Sequence, residues 1–130
     1  MALVINRELT TEEIKDQDGN VIGTMVYDKN DLGILSRYDE KKSSFPRAED
    51  IQGLTMQEAN GKYKDIIDYI FGNGFYDNAF STIHPLTMVE GKPFCIIVIT
   101  HVLQQVNEKL LKNREAIEKK KSNYTKAYEK

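Results

Sequence analysis

A single cysteine, three prolines and no apolar run close to a membrane span mark this 130-residue chain as much by what they exclude as by what they permit. Cys95 has no second cysteine to bond, so an internal disulfide is excluded. Its neighbours Phe94, Ile96 and Ile97 predict a small buried hydrophobe rather than a reactive thiol. Without ~20 consecutive apolar residues no spanning helix is expected. The opening MALVINRELTTEE has neither the basic start nor the apolar stretch of a secretory signal, and a cytoplasmic location is the expectation. The NYT at Asn123 then matches a glycosylation acceptor in letters only. No proline or glycine occurs after Pro93, so nothing interrupts a helix from Phe94 to the end.

With 40% hydrophobic and 29% charged residues the chain can bury one core without staples, and a single soluble domain over 1–130 is expected. The net charge of −2 hides an asymmetry. Residues 107–130 hold eight Lys/Arg against four Glu, a charge of +4, and residues 1–106 hold ten against sixteen acids, a charge of −6. The body is acidic and the end is basic.

Several reactive signatures fail on spacing. In DYIFGNGFYDNAF, residues 68–80, the glycines suggest a phosphate loop, but Phe75 follows the second one and no lysine is near. A dinucleotide fingerprint lacks its third glycine and its preceding strand. A calcium loop starting at Asp16 meets Val21 and Tyr27 where it requires Gly and Glu. His84 precedes a proline, His101 stands on the long helix, and neither has a second metal ligand three or four residues away. Asp65 and Asp68 read as a solvated helix face. No catalytic residue, cofactor or metal is expected.

The fold class expected is mainly α with a small N-terminal β-hairpin. Residues 10–28 form the hairpin, with Asp18-Gly19 supplying the turn and VIGTMVY suited to a pleated surface. Residues 31–93 hold short helices and connectors. One helix is capped by Asn30 or Asp31 and carries Leu32, Leu35 and Tyr38; it ends before SSFP. A connector, FPRAEDIQGLT, has room for one helical turn. A second helix starts near Thr55 and buries Met56, Ala59, Tyr63, Ile66, Ile67, Ile70 and Phe71. It stops at Gly72, a short helix restarts at Asp77 or Asn78 and runs to about Ile83, and HPLTMVEGKPF is a turn-rich connector.

The last helix, 94–130, is about three times the globular mean in length. Leu103, Leu110, Ile117 and Tyr124 recur at seven, and Ile99 and Val106 fill the alternate positions of a coiled-coil seam. Ile99, Leu103, Val106, Leu110 and Ile117 are therefore candidates for self-association. Farther on the alternate positions become Asn113, Lys120 and Ala127, and the seam fades into a basic extension. Glutamates interleave with the lysines there, as Glu115 does with Lys119, so nucleic acid is a minority partner and an acidic protein is as plausible.

Hairpin, short helix, IIDYIFGNG, the corner FYDNAFSTIHP and the long lysine-tipped helix together resemble the tail assembly chaperones of long-tailed bacteriophages and prophages of Gram-positive bacteria. The likeness covers most of residues 10–130, and IIDYIFGNGFYDNAF feeding the last helix is its most specific part. It implies a non-enzymatic protein that coats the helical tape measure protein and yields it as the major tail protein polymerises. It also implies a frameshift-extended form that recruits tail-tube subunits. Phe75, Tyr76 and Phe80 are the aromatic anchors for a partner, with core packing at a helix junction the alternative reading. A small regulatory or nucleic-acid-associated protein, or a structural tail component, are the other functions the sequence admits.

Overall fold

The computed structural model describes residues 2–128, and side-chain surroundings for all of these but 48, 51 and 120–128. Strand β1 (Thr10–Lys15) pairs antiparallel with β2 (Val21–Tyr27), in a register that sets Thr10 opposite Tyr27 and slips at Ile14/Lys15. Asp16 organises the turn: one carboxylate oxygen accepts from the Asp18 and Asn20 amides at 2.9 Å, and Gly19 takes the positive φ of 84° that its lack of Cβ permits. Period-two alternation then faces Gly23, Met25 and Tyr27 inward.

Helix α1 (Gly33–Lys41) follows, and Asp31 rather than Asn30 stabilises its start, accepting from the Gly33 amide at 2.9 Å. The other Asp31 oxygen takes the Arg37 guanidinium at 2.8 Å, and Arg37 Nε reaches the Ile70 carbonyl at 3.0 Å. One arginine thus ties the start of α1 to the end of the next long helix. A single turn, α2 (Ala48–Ile51), occupies the connector. Helix α3 (Met56–Phe71) opens with a side-chain cap, the Thr55 hydroxyl accepting from the Glu58 amide at 3.1 Å and donating to the Glu58 carboxylate at 3.1 Å. It buries Ala59, Tyr63, Ile67, Ile70 and Phe71, while Met56 is 65% exposed. Met56 was expected in the core, but at the first helical position it lies a turn ahead of the residues that other elements cover.

Gly72 stops α3 at φ 122°, and Gly74, at φ 89°, leads into α4 (Phe75–Ala79). This helix starts two residues before the expected Asp77 and ends at Ala79 rather than near Ile83. Asp68, expected on a solvated face, accepts from the Tyr76 amide at 2.9 Å and so satisfies a free donor of the new helix from across the glycine loop. The connector after it contains a two-residue hairpin, β3 (Met88–Val89) and β4 (Lys92–Pro93), turning at Glu90 and Gly91, both with positive φ. Connector carbonyls also cap the last helix, α5 (Phe94–Tyr128): the Phe94 and Cys95 amides donate to Thr87 and Pro85, each at 2.8 Å.

About half of the chain is helical, and the core lies where β2, α1, α3, α4 and the first part of α5 converge. Tyr27, Ile34, Ile67, Ile70, Phe75, Val102 and Val106 are its most enclosed large side chains. No helix among the described residues is long and apolar enough to cross a membrane.

Candidate partner-binding surface

The glycine-aromatic corner turns inward. Phe75 is 2% exposed and packs against Phe71 with ring centroids 4.8 Å apart. Tyr76 and Phe80 are half-buried, 5.2 Å from each other, and Phe80 meets Phe94 edge-on at 5.5 Å. The aromatic anchors expected to face a partner are therefore joined in packing α4 against α3 and α5. Phe75 in particular has no free face, enclosed in the core where α4 meets α3 and β2. That strand crosses at Gly23, where a Cβ would stand 2.1 Å from the Ala79 carbonyl oxygen, a contact only glycine allows.

The heptad seam divides in two. Ile99 and Val106 are buried in the chain's own core, so they are not available for the self-association expected of them. Leu103 and Leu110 are half-buried, and Ile117 is 63% exposed. Tyr124, Lys120 and Ala127 lie outside the residues whose side chains are described. The reason for the division is length: α5 runs past the last element that could cover it, and its apolar spacing continues beyond that point.

Two concavities follow one another along the line between α1 and α5. The first, about 440 Å³, is lined by Leu35, Tyr38 and Asp39 on one wall and Thr100, Leu103 and Asn107 on the other. The second, about 500 Å³, has Asn30 and Leu32 facing Leu110, Arg114 and Ile117. Asn113 spans its floor to Asn30 at 3.4 Å. Together they make a shallow trough of mixed lining, in which Leu32, Leu35, Leu103, Leu110 and Ile117 alternate with polar side chains, Asp39 in the first concavity and both Arg114 and Glu118 in the second. Leu32, expected on the buried stripe of α1, is 48% exposed as part of this wall. A second exposed apolar segment precedes the hairpin, where Leu3 is 91% and Val4 83% exposed, beyond an ion pair of Arg7 with Asp28 at 3.2 Å.

Sequence spacing gave no sign of one further cluster. Glu12 on β1 receives the Tyr27 hydroxyl on one carboxylate oxygen and lies 3.0 Å from His101 Nε2 with the other. Burial pushes the Glu12 carboxyl up, but the hydrogen bonds from Tyr27 and His101 outweigh it and hold the group below its ordinary value. Burial first, and then Glu12 itself, push the Tyr27 phenol up. The phenol is spent on the carboxylate, and the cluster fastens the hairpin to α5. His84 is occupied likewise, its Nε2 2.7 Å from Asn60 Oδ1 and its Nδ1 accepting from the Leu86 amide at 3.0 Å. Burial pushes the Cys95 thiol up, toward the inert form. Among the described residues no three His, Cys, Asp or Glu side chains gather as a metal site would. The trough is thus one part of the surface where apolar side chains of separate elements, Leu32 and Ile117 among them, stay uncovered side by side. Comparison of the chain with known protein families, with curated proteins and with solved structures finds no match.

Proposed function

We propose that this protein is a non-enzymatic tail assembly chaperone of a long-tailed phage or prophage, which holds an amphipathic helix of the tape measure protein in the trough between α1 and α5. The observation that carries the reading is the uncovered continuation of the seam: Leu110 and Ile117 keep helix-pairing spacing on a part of α5 that has left the core. A helical client laid there buries Leu32, Leu110 and Ile117, at roughly 25 cal/mol per Å² of apolar surface removed from water. The same contact masks a stripe of the client that would otherwise drive its aggregation. An extended form of the chain, where one is made, carries the contact to the major tail protein.

The test is co-expression with the tape measure protein of the same genome, found as a very long helical reading frame downstream of the gene. The client stays soluble and co-purifies with the wild type and is lost with Ile117→Asp, whose exposed position leaves the fold intact. A client equally soluble without the chaperone, or one that co-purifies with both forms, sinks the reading.

A further inference from the structure

The chain contains two Asn-Gly pairs, Asn60-Gly61 and Asn73-Gly74, and the fold treats them oppositely. An asparagine followed by glycine is chemically labile, because the glycine amide nitrogen can reach the asparagine side-chain carbonyl with no Cβ in the way. The rate depends on how freely the backbone brings those two atoms together.

Asn60 and Gly61 lie inside α3, where the Gly61 amide belongs to the helical hydrogen-bond ladder. The Asn60 side chain is engaged as well, its Oδ1 2.7 Å from His84 Nε2. Asn73 and Gly74 lie instead in the loop between α3 and α4. Asn73 is exposed, and among the described residues nothing accepts from the Gly74 amide. The turn is closed by a backbone hydrogen bond from the Phe75 amide to the Gly72 carbonyl, at 3.2 Å. A glycine stands on each side of Asn73. A Cβ placed on Gly72 would meet nothing within 4 Å, and one on Gly74 only the Asn78 side-chain nitrogen at 4.0 Å. Once the turn bond opens, ring closure at Asn73 has room that the helix denies to Asn60.

We propose that Asn73 is a site of spontaneous deamidation, and that the fold confines the reaction to this one of the two pairs. The Gly74 amide nitrogen gives its proton to solvent base and bonds to Asn73 Cγ, the C–N bond of the side-chain amide breaks, and ammonia leaves. Water then opens the cyclic imide at either carbonyl, yielding aspartate or isoaspartate, with nothing oxidised or reduced. Isoaspartate routes the main chain through the side-chain methylene, so the loop gains a backbone atom and the bond from Phe75 to Gly72 no longer spans it. Across this loop Asp68 accepts from the Tyr76 amide at 2.9 Å, and beyond it Lys64 donates to Asp77 at 2.9 Å. The product also adds a negative charge to a corner that already holds Asp68 and Asp77. Deamidation therefore loosens the joint between α3 and α4 as the protein ages, whatever the chain binds.

The full chain is incubated at physiological temperature and mildly alkaline pH, folded and, in parallel, unfolded in urea. Each Asn-Gly peptide is followed by mass, which rises as NH2 gives way to OH. In urea the two pairs are expected to react at similar rates, since both glycine amides are free. In the folded protein the Asn73 peptide is expected to convert at least roughly tenfold faster than the Asn60 peptide. Equal rates in the folded protein, faster conversion at Asn60, or none at Asn73 overturns the proposal. Asn73→Gln, whose cyclisation needs a larger ring, supplies the control for the consequence. The urea midpoint of aged wild type is expected to fall below that of fresh protein, while that of aged Asn73→Gln stays in place. An unmoved wild-type midpoint, or an equal fall in both, overturns the loosening of the corner alone.

Discussion

The two halves of α5 share a heptad and differ in everything else. From Phe94 to Val106 the core-facing positions Phe94, Val98, Ile99, Val102 and Val106 are enclosed, and Val102 and Val106 are fully buried. From Asn107 to Lys119 no residue is buried, although Leu110, Leu111 and Ile117 keep the apolar pattern. One helix therefore has two surroundings: its first half is cohesion within the chain, and its second half carries apolar side chains that the described residues leave uncovered. Spacing alone cannot separate the two, because a helix packs against its own domain and against a partner with the same stripe.

Charge substitution gives the widest contrast between the halves. Val102→Asp forces a carboxylate among apolar side chains with no partner, and the expected loss is more than ~4 kcal/mol, enough to unfold much of the population. Ile117→Asp is expected within about 0.5 kcal/mol of wild type. Urea unfolding followed by circular dichroism compares the two directly, and similar losses would erase the distinction. The aromatic corner belongs to the cohesive side. Phe75→Ala is expected to cost about 3–5 kcal/mol in the same measurement, and a loss under 1 kcal/mol would return the ring to the list of partner contacts. Gly23→Ala sharpens the boundary from the strand side. The added methyl meets the Ala79 carbonyl oxygen, and β2 must lift from α4 at a cost of roughly 1–3 kcal/mol, read as a lower unfolding midpoint.

These positions also show what was legible in the sequence. Elements set by local chemistry were: the Asp18-Gly19 turn, the Thr55 cap and the Gly72 stop each lie within a few residues of the backbone they shape. The start of α4 was misplaced because Asp77 and Asn78 look like caps, whereas the acceptor in use is Asp68, folded back across two glycines. The trough was half legible. Its α5 wall follows from the heptad, but its α1 wall, and the burial of Ile99 and Val106 on the other side, depend on where separate helices meet. Glu12 and His101 are 89 residues apart and no spacing rule joins them. The close approach at Gly23 was similarly hidden, although a glycine inside a strand pattern is a signal for such contacts.

The smallest expected effect concerns the contact of the cohesive half of α5 with the Glu12 carboxylate. His101 is on its outer side, and Glu12 bridges it to Tyr27 of the hairpin. Glu12 is held below its ordinary value of 4.5 in the fold, so the folded state favours the carboxylate. The stability this contributes is fully present above the unfolded value and is lost as pH falls through the lower, folded one. Glu12→Gln keeps an acceptor for Tyr27 and removes the titration. Its stability is therefore expected to decline less steeply than that of wild type between about pH 5 and about pH 3. Ile117→Asp, on the distal half, leaves the wild-type slope in place over the region Glu12 controls. Urea midpoints collected across that range decide the matter: parallel curves for Glu12→Gln and wild type would show that the hairpin is held to α5 by the apolar contacts of Met25 and Tyr27 alone, with the charged bridge an ornament of the surface.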